Sequence, residues 1–203
     1  SLITGTHLPV MEDFYTIQGE GFHNGTPAYF IRLGGCDVGC HWCDVKESWD
    51  AQAHEKVEVE ELAEKAKNSG APIAVITGGE PLMYDLDFLI NALKDRGLKV
   101  HIETSGAYPL QGNPDWLCLS PKKFKKPLLE VVETASELKV VVYNKSDFDW
   151  AERFANQVHE SCELYLQPEW DRSNIMLSKI IAYVLENPQW KISLQTHKYM
   201  DIP

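Results

Sequence analysis

The chain alternates short apolar runs with amphipathic stretches along most of its length. Apolar runs typical of buried strands cover residues 29–33, 72–76, 98–102, 116–119, 138–142, 163–166 and 191–195. Amphipathic stretches at residues 57–67, 85–96, 146–160 and 174–187 have the apolar spacing of helices. This alternation predicts a mostly parallel sheet joined by right-handed crossovers, either open or curled into a barrel.

Small or polar residues follow most of the predicted strands. These segments are Gly34-Gly35, Thr77-Gly-Gly-Glu-Pro81, Glu103-Thr-Ser-Gly106, Ser120-Pro-Lys122, Gln167-Pro168 and Thr196-His197. In open parallel sheets and in parallel barrels alike, ligands bind at the carboxyl ends of the strands. The sequence therefore predicts one continuous pocket along that edge.

Three cysteines stand within eight residues directly after the first apolar run, in the segment Cys36-Asp-Val-Gly-Cys40-His-Trp-Cys43. Three thiolates from one loop suit an iron-sulfur cluster in which one iron is left for a ligand other than protein. The alternative is a structural zinc site, which usually takes four ligands arranged as two close pairs. No second pair exists, because Cys118 and Cys162 stand alone and are expected to be buried, inert thiols. The spacing favours an enzyme with a redox cofactor.

Length and cysteine content set the class of the protein. The 203 residues are 44% hydrophobic, enough for one good core, so one domain is expected. No apolar run is long enough to span a membrane, and the start lacks a signal-peptide pattern. Five cysteines, an odd number, argue against a disulfide framework and for a reducing compartment. We therefore expect a soluble, cytoplasmic protein without a membrane partner.

The charge balance argues against nucleic acid as a partner. The net charge is -11, and nucleic-acid binders need basic stripes to displace the counterions of phosphates. The one basic run is Lys122-Lys-Phe-Lys-Lys126, and its last three lysines are expected to lie on a solvated loop.

Several polar residues at the predicted pocket edge have two interpretations. Beside the cysteine loop, Glu80 is expected to accept hydrogen bonds from a ligand; the alternative is an ordinary strand-to-helix turn in which Pro81 takes the first helical position. Thr104 and Ser105 either offer hydroxyls to a ligand or cap helices. Arg32 lies on an apolar strand, where an unpaired guanidinium is costly, so it should face a carboxylate of the protein or of a substrate.

The cysteine spacing, together with Gly78-Gly-Glu-Pro81, resembles the radical S-adenosylmethionine (SAM) enzymes. Further segments, in order along essentially the whole chain, resemble the 7-carboxy-7-deazaguanine synthase family. They are Gln18-Gly-Glu-Gly21, Phe30-Ile-Arg-Leu33, His41-Trp-Cys-Asp44, Glu103-Thr-Ser-Gly106, Ser120-Pro-Lys122, Leu166-Gln-Pro168 and Gln195-Thr-His-Lys-Tyr199. The resemblance implies an incomplete (abbreviated) parallel β/α barrel, formed by a single radical SAM domain over residues 1–203.

The reaction that the resemblance implies is the contraction of 6-carboxy-5,6,7,8-tetrahydropterin to 7-carboxy-7-deazaguanine with loss of ammonia, a step towards queuosine and related 7-deazapurines. An external one-electron reductant would reduce a 4Fe-4S cluster, SAM would be cleaved, and the 5′-deoxyadenosyl radical would take the hydrogen at C6 of the substrate. SAM is regenerated in this family, and its members tend to form homodimers.

The resemblance also implies a role for individual residues. The cluster ligands are Cys36, Cys40 and Cys43. The SAM contacts are Trp42, Cys43, Asp44, Gly79, Ser120, Pro121, Lys122 and Gln167. The substrate contacts are Ile17, Gln18, Gly19, Arg32, Thr77 and the terminal carboxylate of Pro203, with Glu20 and His197 as secondary candidates. No catalytic side chain beyond the cofactor is implied.

A magnesium ion at the substrate is implied as well, but its usual ligand is missing from this sequence. Family members usually carry Thr or Ser directly after the Trp-Cys-Asp unit, whereas this chain has Val45. Magnesium could bind through substrate oxygens and water, or it could be dispensable, with Lys46 supplying positive charge instead. Strong stimulation of activity by magnesium after chelation would contradict the role of Lys46.

Two other functions fit part of the pattern. An activase that makes a glycyl radical on a partner protein would share the cysteine loop, but Gln18-Gly-Glu and the Gln195-Thr-His-Lys-Tyr ending favour the pterin substrate. A zinc-stabilised binding module would be colourless, whereas an iron-sulfur enzyme prepared without oxygen would be brown with roughly four irons per chain. Trp150, Trp170 and Trp190 are candidates for a dimer interface, with at least one of them expected in the core.

Overall fold

The computed structural model describes residues 5–35, 50 and 54–203 and contains one nine-stranded sheet flanked by helices. The strands are β1 (His7–Ile17), β2 (Pro27–Leu33), β3 (Glu55–Glu58), β4 (Ile73–Gly78), β5 (Lys99–Thr104), β6 (Trp116–Leu119), β7 (Glu137–Val142), β8 (Glu163–Pro168) and β9 (Trp190–Ile192). The helices are α1 (Val59–Ser69), α2 (Asp87–Asp95), α3 (Leu129–Thr134), α4 (Ser146–Ala155), α5 (Ser173–Glu186) and α6 (Thr196–Met200). Short 3₁₀ helices cover Pro81–Met83 and Trp170–Arg172.

The sheet is mostly parallel, as the alternation predicts. The strand order is β3-β1-β2-β4-β5-β6-β7-β8-β9, and the pairs from β2 and β4 onward to β8 and β9 are all parallel. Strand β1 pairs in the antiparallel sense with both β2 and β3. The carboxyl ends of β2 and of β4 to β9 therefore share one edge of the sheet.

The sheet curls into an incomplete barrel. Strands β1 and β9 are far apart in the strand order, yet the backbone N–H of Thr196, just after β9, donates to the carbonyl of Gly19, just after β1, at 3.0 Å. Within the described residues β3 and β9 do not pair, so the barrel is not closed. The predicted abbreviated barrel is confirmed.

The two faces of the sheet differ in chemistry. On the outer face, residues such as Ile31, Ile76 and Leu138 are fully buried in the main hydrophobic core, to which α1 and α2 contribute their apolar sides. The inner face carries a smaller apolar cluster of Ala28, Phe30, Ile73 and Val75. Elsewhere it carries polar side chains, and these form the candidate site.

Some element boundaries differ from the sequence predictions. Strands β1 and β3 were not predicted, because antiparallel strands with partly exposed residues give a weak apolar pattern. Helices α3 and α6 have six and five residues, too few for a periodic signal. The predicted strand at 191–195 is shorter, since β9 ends at Ile192. The helix predicted at 57–67 begins two residues later, at Val59, and the helix predicted at 146–160 ends earlier, at Ala155.

The burial of the isolated cysteines and of one tryptophan agrees with the sequence predictions. Cys118 and Cys162 are free and buried. Trp190 is 1% exposed and belongs to the core, whereas Trp170 is 38% exposed. None of the helices in the described part of the chain combines the length and apolar character that crossing a membrane would require.

Candidate functional site

The cysteine segment lies outside the described residues. The predicted cluster ligands Cys36, Cys40 and Cys43, the predicted SAM contacts Trp42 and Asp44, and the positions Val45 and Lys46 all belong to it. The described part of the chain holds no group of three or more His, Cys, Asp or Glu residues that could bind a metal ion. A cluster in this protein would therefore depend on the three cysteines, whose thiolates are a suitable donor set.

The two flanks of the cysteine segment meet at the Gly-Gly-Glu-Pro turn. A Cβ on Gly34 would lie 2.3 Å from the imidazole Cδ2 of His54, so the flanks are in contact. The backbone N–H of Glu80 donates to the carbonyl of Gly35 at 2.9 Å, and that of Gly79 donates to Leu33 at 3.0 Å. Residues 33–35 thus lie beside the carboxyl end of β4, and His54 lies against Gly34.

Close approach of two backbones requires glycine at position 78. Gly78 has a φ of 141°, and a Cβ there would lie 2.2 Å from the carbonyl oxygen of Leu33. Any side chain would push β2 and β4 apart at the edge where the predicted pocket begins.

Glu80 has the structural role of the alternative interpretation, not the expected ligand contact. It is 1% exposed. One carboxylate oxygen accepts from the backbone N–H and the hydroxyl of Ser105, at 2.8 and 2.6 Å. The other accepts from Leu82 N–H at 2.9 Å and from the Thr104 hydroxyl at 2.6 Å. The hydroxyls of Thr104 and Ser105, which were candidates for ligand contacts, are therefore engaged in fixing the ends of β4 and β5.

The predicted SAM contacts after β6 lie on the same edge. The backbone N–H of Ser120 donates to the carbonyl of Thr104 at 2.8 Å, and Lys122 Nζ donates to the Ser120 hydroxyl at 3.1 Å. Pro121 between them is buried. Gly79 and residues 120–122 are thus linked through the end of β5.

Residues 18–26 connect β1 to β2 and are called the inner loop here, and the side chains at its start face the interior of the curled sheet. Gln18 Nε2 donates to Glu103 Oε1 at 3.1 Å, and the Thr77 hydroxyl donates to Glu103 Oε2 at 3.3 Å. The structure therefore brings two predicted substrate contacts, Gln18 and Thr77, onto one carboxylate at the carboxyl end of β5.

Glu103 is a candidate site residue that the sequence reasoning missed. Its neighbours Ile102 and Thr104 are buried on the outer face, so Glu103 points inward. A carboxylate within a buried parallel strand was the signal that could have identified it.

Glu20 joins the inner loop to β7 and β8. Gln167 Nε2 donates to Glu20 Oε1 at 2.6 Å, and Lys139 Nζ lies 3.6 Å from Glu20 Oε2. The Ser193 hydroxyl donates to Gln167 Oε1 at 2.8 Å. Burial alone would raise the pKa of Glu20, but Lys139 and the hydrogen bond from Gln167 outweigh it and lower that pKa. The side chain of Gln167, predicted to contact SAM, is thus bound to a predicted substrate residue.

The C-terminal segment packs against the start of the inner loop. The hydroxyl of Thr196 donates to the carbonyl of Gly19 at 3.1 Å. A Cβ on Gly19 would lie 2.2 Å from Nδ1 of His197, so these two predicted residues are in direct contact. The hydroxyl of Thr16 donates to the oxygen of Pro203 at 3.4 Å, which places Pro203 beside the end of β1. Ile17, half-buried, is the last residue of that strand.

Arg32 has the carboxylate partner that its strand position predicted. Its Nε donates to Glu12 Oε1 at 2.9 Å, across the β1 and β2 pair. On its other side, Arg32 is in register with Thr77 of β4. Glu12 is therefore the protein carboxylate that this guanidinium faces, next to the site formed by Gln18, Thr77 and Glu103.

The interior of the curled sheet is rich in hydrogen-bond acceptors. Besides Glu20 and Glu103, it contains Glu137, which accepts from the indole N–H of Trp116 at 2.8 Å. Burial raises the pKa of Glu137, and Lys139 partly offsets this. Such acceptors suit a flat ligand whose edge carries several N–H donors.

Comparisons with known proteins agree with this arrangement. The model of the Radical SAM superfamily matches residues 30–144. The 7-carboxy-7-deazaguanine synthase of Flavobacterium psychrophilum is 56% identical over 199 residues, which span 98% of this chain and 94% of that protein. The one from Synechocystis sp. is 50% identical over 96% of this chain and 93% of its own length. The crystal structure of QueE from Escherichia coli matches with a TM-score of 0.79 and 32% identity, covering 93% of this chain and 94% of that one.

Proposed function

Because the chain belongs to the 7-carboxy-7-deazaguanine synthase family of the radical SAM superfamily, we propose that it converts 6-carboxy-5,6,7,8-tetrahydropterin to 7-carboxy-7-deazaguanine with loss of ammonia. The product would enter the biosynthesis of queuosine or a related 7-deazapurine. The observation that supports this substrate most directly is the inward carboxylate of Glu103, which gathers Gln18 and Thr77 beside the Gly-Gly-Glu-Pro edge.

The cofactors would be held at the carboxyl edge of the sheet. Cys36, Cys40 and Cys43 would bind the 4Fe-4S cluster, and Trp42, Cys43, Asp44, Gly79, Ser120, Pro121, Lys122 and Gln167 would contact SAM. When bound, the reduced cluster and SAM supply hydrogen-atom abstraction at C6 of the substrate. The contribution of the protein is to orient that carbon and to exclude other hydrogen donors.

The substrate would lie inside the curled sheet. The pterin edge presents N–H groups, for which the carboxylates of Glu103 and Glu20 are matching acceptors. Arg32 carries five N–H donors, so it can keep Glu12 and also bind the carboxylate of the substrate. Ile17, Gly19, Thr77, His197 and Pro203 would complete the pocket around the two ends of the inner loop.

Three further parts of the proposal concern partners and ions. An external one-electron donor would reduce the cluster. Magnesium would bind through substrate oxygens and water, because Val45 has no side-chain oxygen.

The protein would act as a homodimer. Sedimentation velocity should therefore give twice the chain mass of 23.0 kDa, and a species of single-chain mass would contradict this.

The experiment that tests the proposed function is an oxygen-free turnover assay. The chain is reconstituted with iron and sulfide and incubated with SAM, dithionite and 6-carboxy-5,6,7,8-tetrahydropterin, and 7-carboxy-7-deazaguanine is measured by mass spectrometry. We expect product from the native chain and none from Cys40→Ala. Cleavage of SAM without product would refute the substrate, and a colourless preparation without acid-labile sulfide would refute the cofactor.

A further inference from the structure

Lys139 is a buried cation that the proposed mechanism does not use. It lies in β7, where Leu138, Val140 and Val142 face the main core and Lys139 therefore faces the interior of the curled sheet. The residue is 5% exposed. A lysine in such a position is costly unless it is paired, so its partners are informative.

The surroundings of Lys139 are acidic. Its ammonium lies 3.6 Å from Glu20 Oε2, and Glu103 and Glu137 face the same interior from β5 and from β7 itself. Burial alone would lower the pKa of Lys139, but the negative groups around it raise that pKa. Cys118 on β6 also faces Lys139, but burial raises the pKa of its thiol, which stays uncharged near neutral pH. The carboxylates are thus the partners that hold the ammonium charged.

Glu20 links Lys139 to Gln18, a predicted substrate contact at the start of the inner loop. The backbone N–H of Glu20 donates to Gln18 Oε1 at 3.2 Å, while the other end of that amide, Nε2, donates to Glu103 at 3.1 Å. Fixing Glu20 therefore fixes which way the Gln18 amide points. The link runs from Lys139 through Glu20 and Gln18 to Glu103.

A second set of contacts holds Glu20 from the opposite side. Gln167 donates to Glu20, Ser193 donates to Gln167, and the N–H of Gly21 donates to the Ser193 hydroxyl at 2.9 Å. Glu20 accepts the hydrogen bond from Gln167 in its ionised form. A protonated Glu20 would carry an O–H on one carboxyl oxygen, where Lys139 Nζ or the Gln167 amide now lies as a donor.

The charged groups that act on Glu20 come from two directions. Lys139 is in contact with it, and His197 and Lys198 of α6 act from farther away. Removing the ammonium leaves burial, which is the largest influence on Glu20 and raises its pKa, opposed only by weaker interactions. Lys139 is therefore the main group that keeps Glu20 ionised.

We propose that Lys139 is a positioning residue: by holding the half-buried Glu20 carboxylate it fixes the inner loop, and with it Gln18 and Glu103, in the arrangement that binds the pterin. This inference rests on the proposed function. It deepens that function by assigning a role to a residue that does not itself touch the substrate.

The test is to replace Lys139 by methionine and measure substrate binding as well as turnover. The dissociation constant of 6-carboxy-5,6,7,8-tetrahydropterin is measured by oxygen-free equilibrium dialysis on the cluster-loaded enzyme with SAM and without reductant. For Lys139→Met we expect at least a ~10-fold weaker affinity, which further weakens as pH falls because Glu20 becomes protonated. Iron content should not change.

Lys191→Met is the matched control. Lys191 pairs with Glu163 at 2.9 Å on the neighbouring strands, and its side chain is 54% exposed, so its loss should leave affinity for the pterin unchanged. Lys139→Arg keeps the charge and should retain more affinity than Lys139→Met.

The double variant with Glu20→Gln shows whether Lys139 acts through Glu20. Because the second substitution removes the carboxylate that needs the ammonium, the double variant should bind substrate no more weakly than Glu20→Gln alone. If Lys139→Met does not fold, the double variant should fold, since it also removes the carboxylate that is in direct contact with the lost ammonium.

Three results would overturn the inference. The first is native affinity in Lys139→Met, with or without a lowered melting temperature. The second is an affinity loss with no change in pH dependence, and the third is a full additional loss in the Glu20→Gln background. Failure of the native chain to bind or convert the pterin would instead refute the proposed function.

Discussion

At the scale of single residues, the account depends on the inward carboxylate of Glu103. It accepts from Gln18 Nε2 and from the Thr77 hydroxyl, leaving each oxygen with capacity for another donor. A half-buried carboxylate that is already oriented by two donors does not need to be rearranged when a ligand binds. This makes Glu103 the best-prepared acceptor in the interior for the N–H edge of a pterin.

Replacement of Glu103 by glutamine should therefore weaken substrate binding by about 10- to 100-fold, since a charge-assisted hydrogen bond becomes a neutral one or is lost. Equilibrium dialysis without reductant measures this directly. Glu133→Gln, on the exposed side of α3, is the control and should bind normally. Unchanged affinity in Glu103→Gln would remove this residue from the proposed pocket.

Gly19 allows the C-terminal segment to lie directly on the inner loop. In Gly19→Ala the Cβ would lie 2.7 Å from the backbone nitrogen of His197, so α6 must move. We expect at least a ~10-fold loss of kcat/KM, about 1.4 kcal/mol or more of transition-state stabilisation. The control is Gly25→Ala, whose Cβ would meet no atom within 4 Å and which costs only backbone strain. Equal activity of both variants would show that this contact is dispensable.

Residue types at strand ends could be predicted from the sequence, whereas partners across the barrel could not. Gln18, Thr77 and His197 were assigned by resemblance, and the structure brings them together around Gly19 and Glu103. Glu103 was placed in the polar segment at the predicted pocket edge without a role of its own, and Lys139 was placed in an apolar strand, because their partners come from parts of the chain that are far apart in sequence. For the same reason the sequence left two roles open for the hydroxyls of Thr104 and Ser105. The structure shows that both donate to the Glu80 carboxylate.

At the scale of elements, the inner loop closes one end of the interior with aromatic rings. His23 lies with its ring centroid 4.4 Å from that of His101 and 4.6 Å from that of Trp116. Phe22 stacks on Trp116 at 5.1 Å. Trp116 begins β6 and His101 lies in the first half of β5, so this end is opposite the edge formed by Thr104 and Ser120. Ligands would therefore enter from the carboxyl edge.

This aromatic end should make stability depend on pH. Burial, with His23 nearby, lowers the pKa of His101 to about 4, although Asp115 acts in the opposite direction. The unfolded chain takes up the proton near the ordinary value, so the stabilisation is complete above about pH 6.5 and is lost as pH falls towards 4. At about pH 5 the loss in the free energy of unfolding amounts to roughly 2 kcal/mol.

His101→Phe is the variant that tests this dependence. It keeps a ring against His23 and Trp116 but cannot be protonated. Chemical unfolding at several pH values should show a flatter decline below pH 6.5 than in the native chain. Parallel curves for the two proteins would show that His101 is not the group responsible.

At the scale of the whole molecule, the curled sheet holds an acidic interior within an acidic protein of net charge -11. The alternation of apolar and amphipathic segments was sufficient to predict the parallel sheet, since each β/α unit carries its own local signal. The antiparallel hairpin of β1 and β2 was not predicted, because β1 gives a weak apolar pattern. The insertion of its loop into the barrel was not predicted either, since it depends on contacts between the first and last quarters of the chain.

The position of the substrate relative to this interior tests the central claim most directly. We expect an oxygen-free crystal structure with cluster, SAM and 6-carboxy-5,6,7,8-tetrahydropterin to place the N–H edge of the pterin within hydrogen-bond distance, about 3 Å, of a Glu103 oxygen. In the same structure Glu20 should remain bound to Lys139. A pterin that binds outside the curled sheet, or inside it without contacting Glu103, would contradict the account.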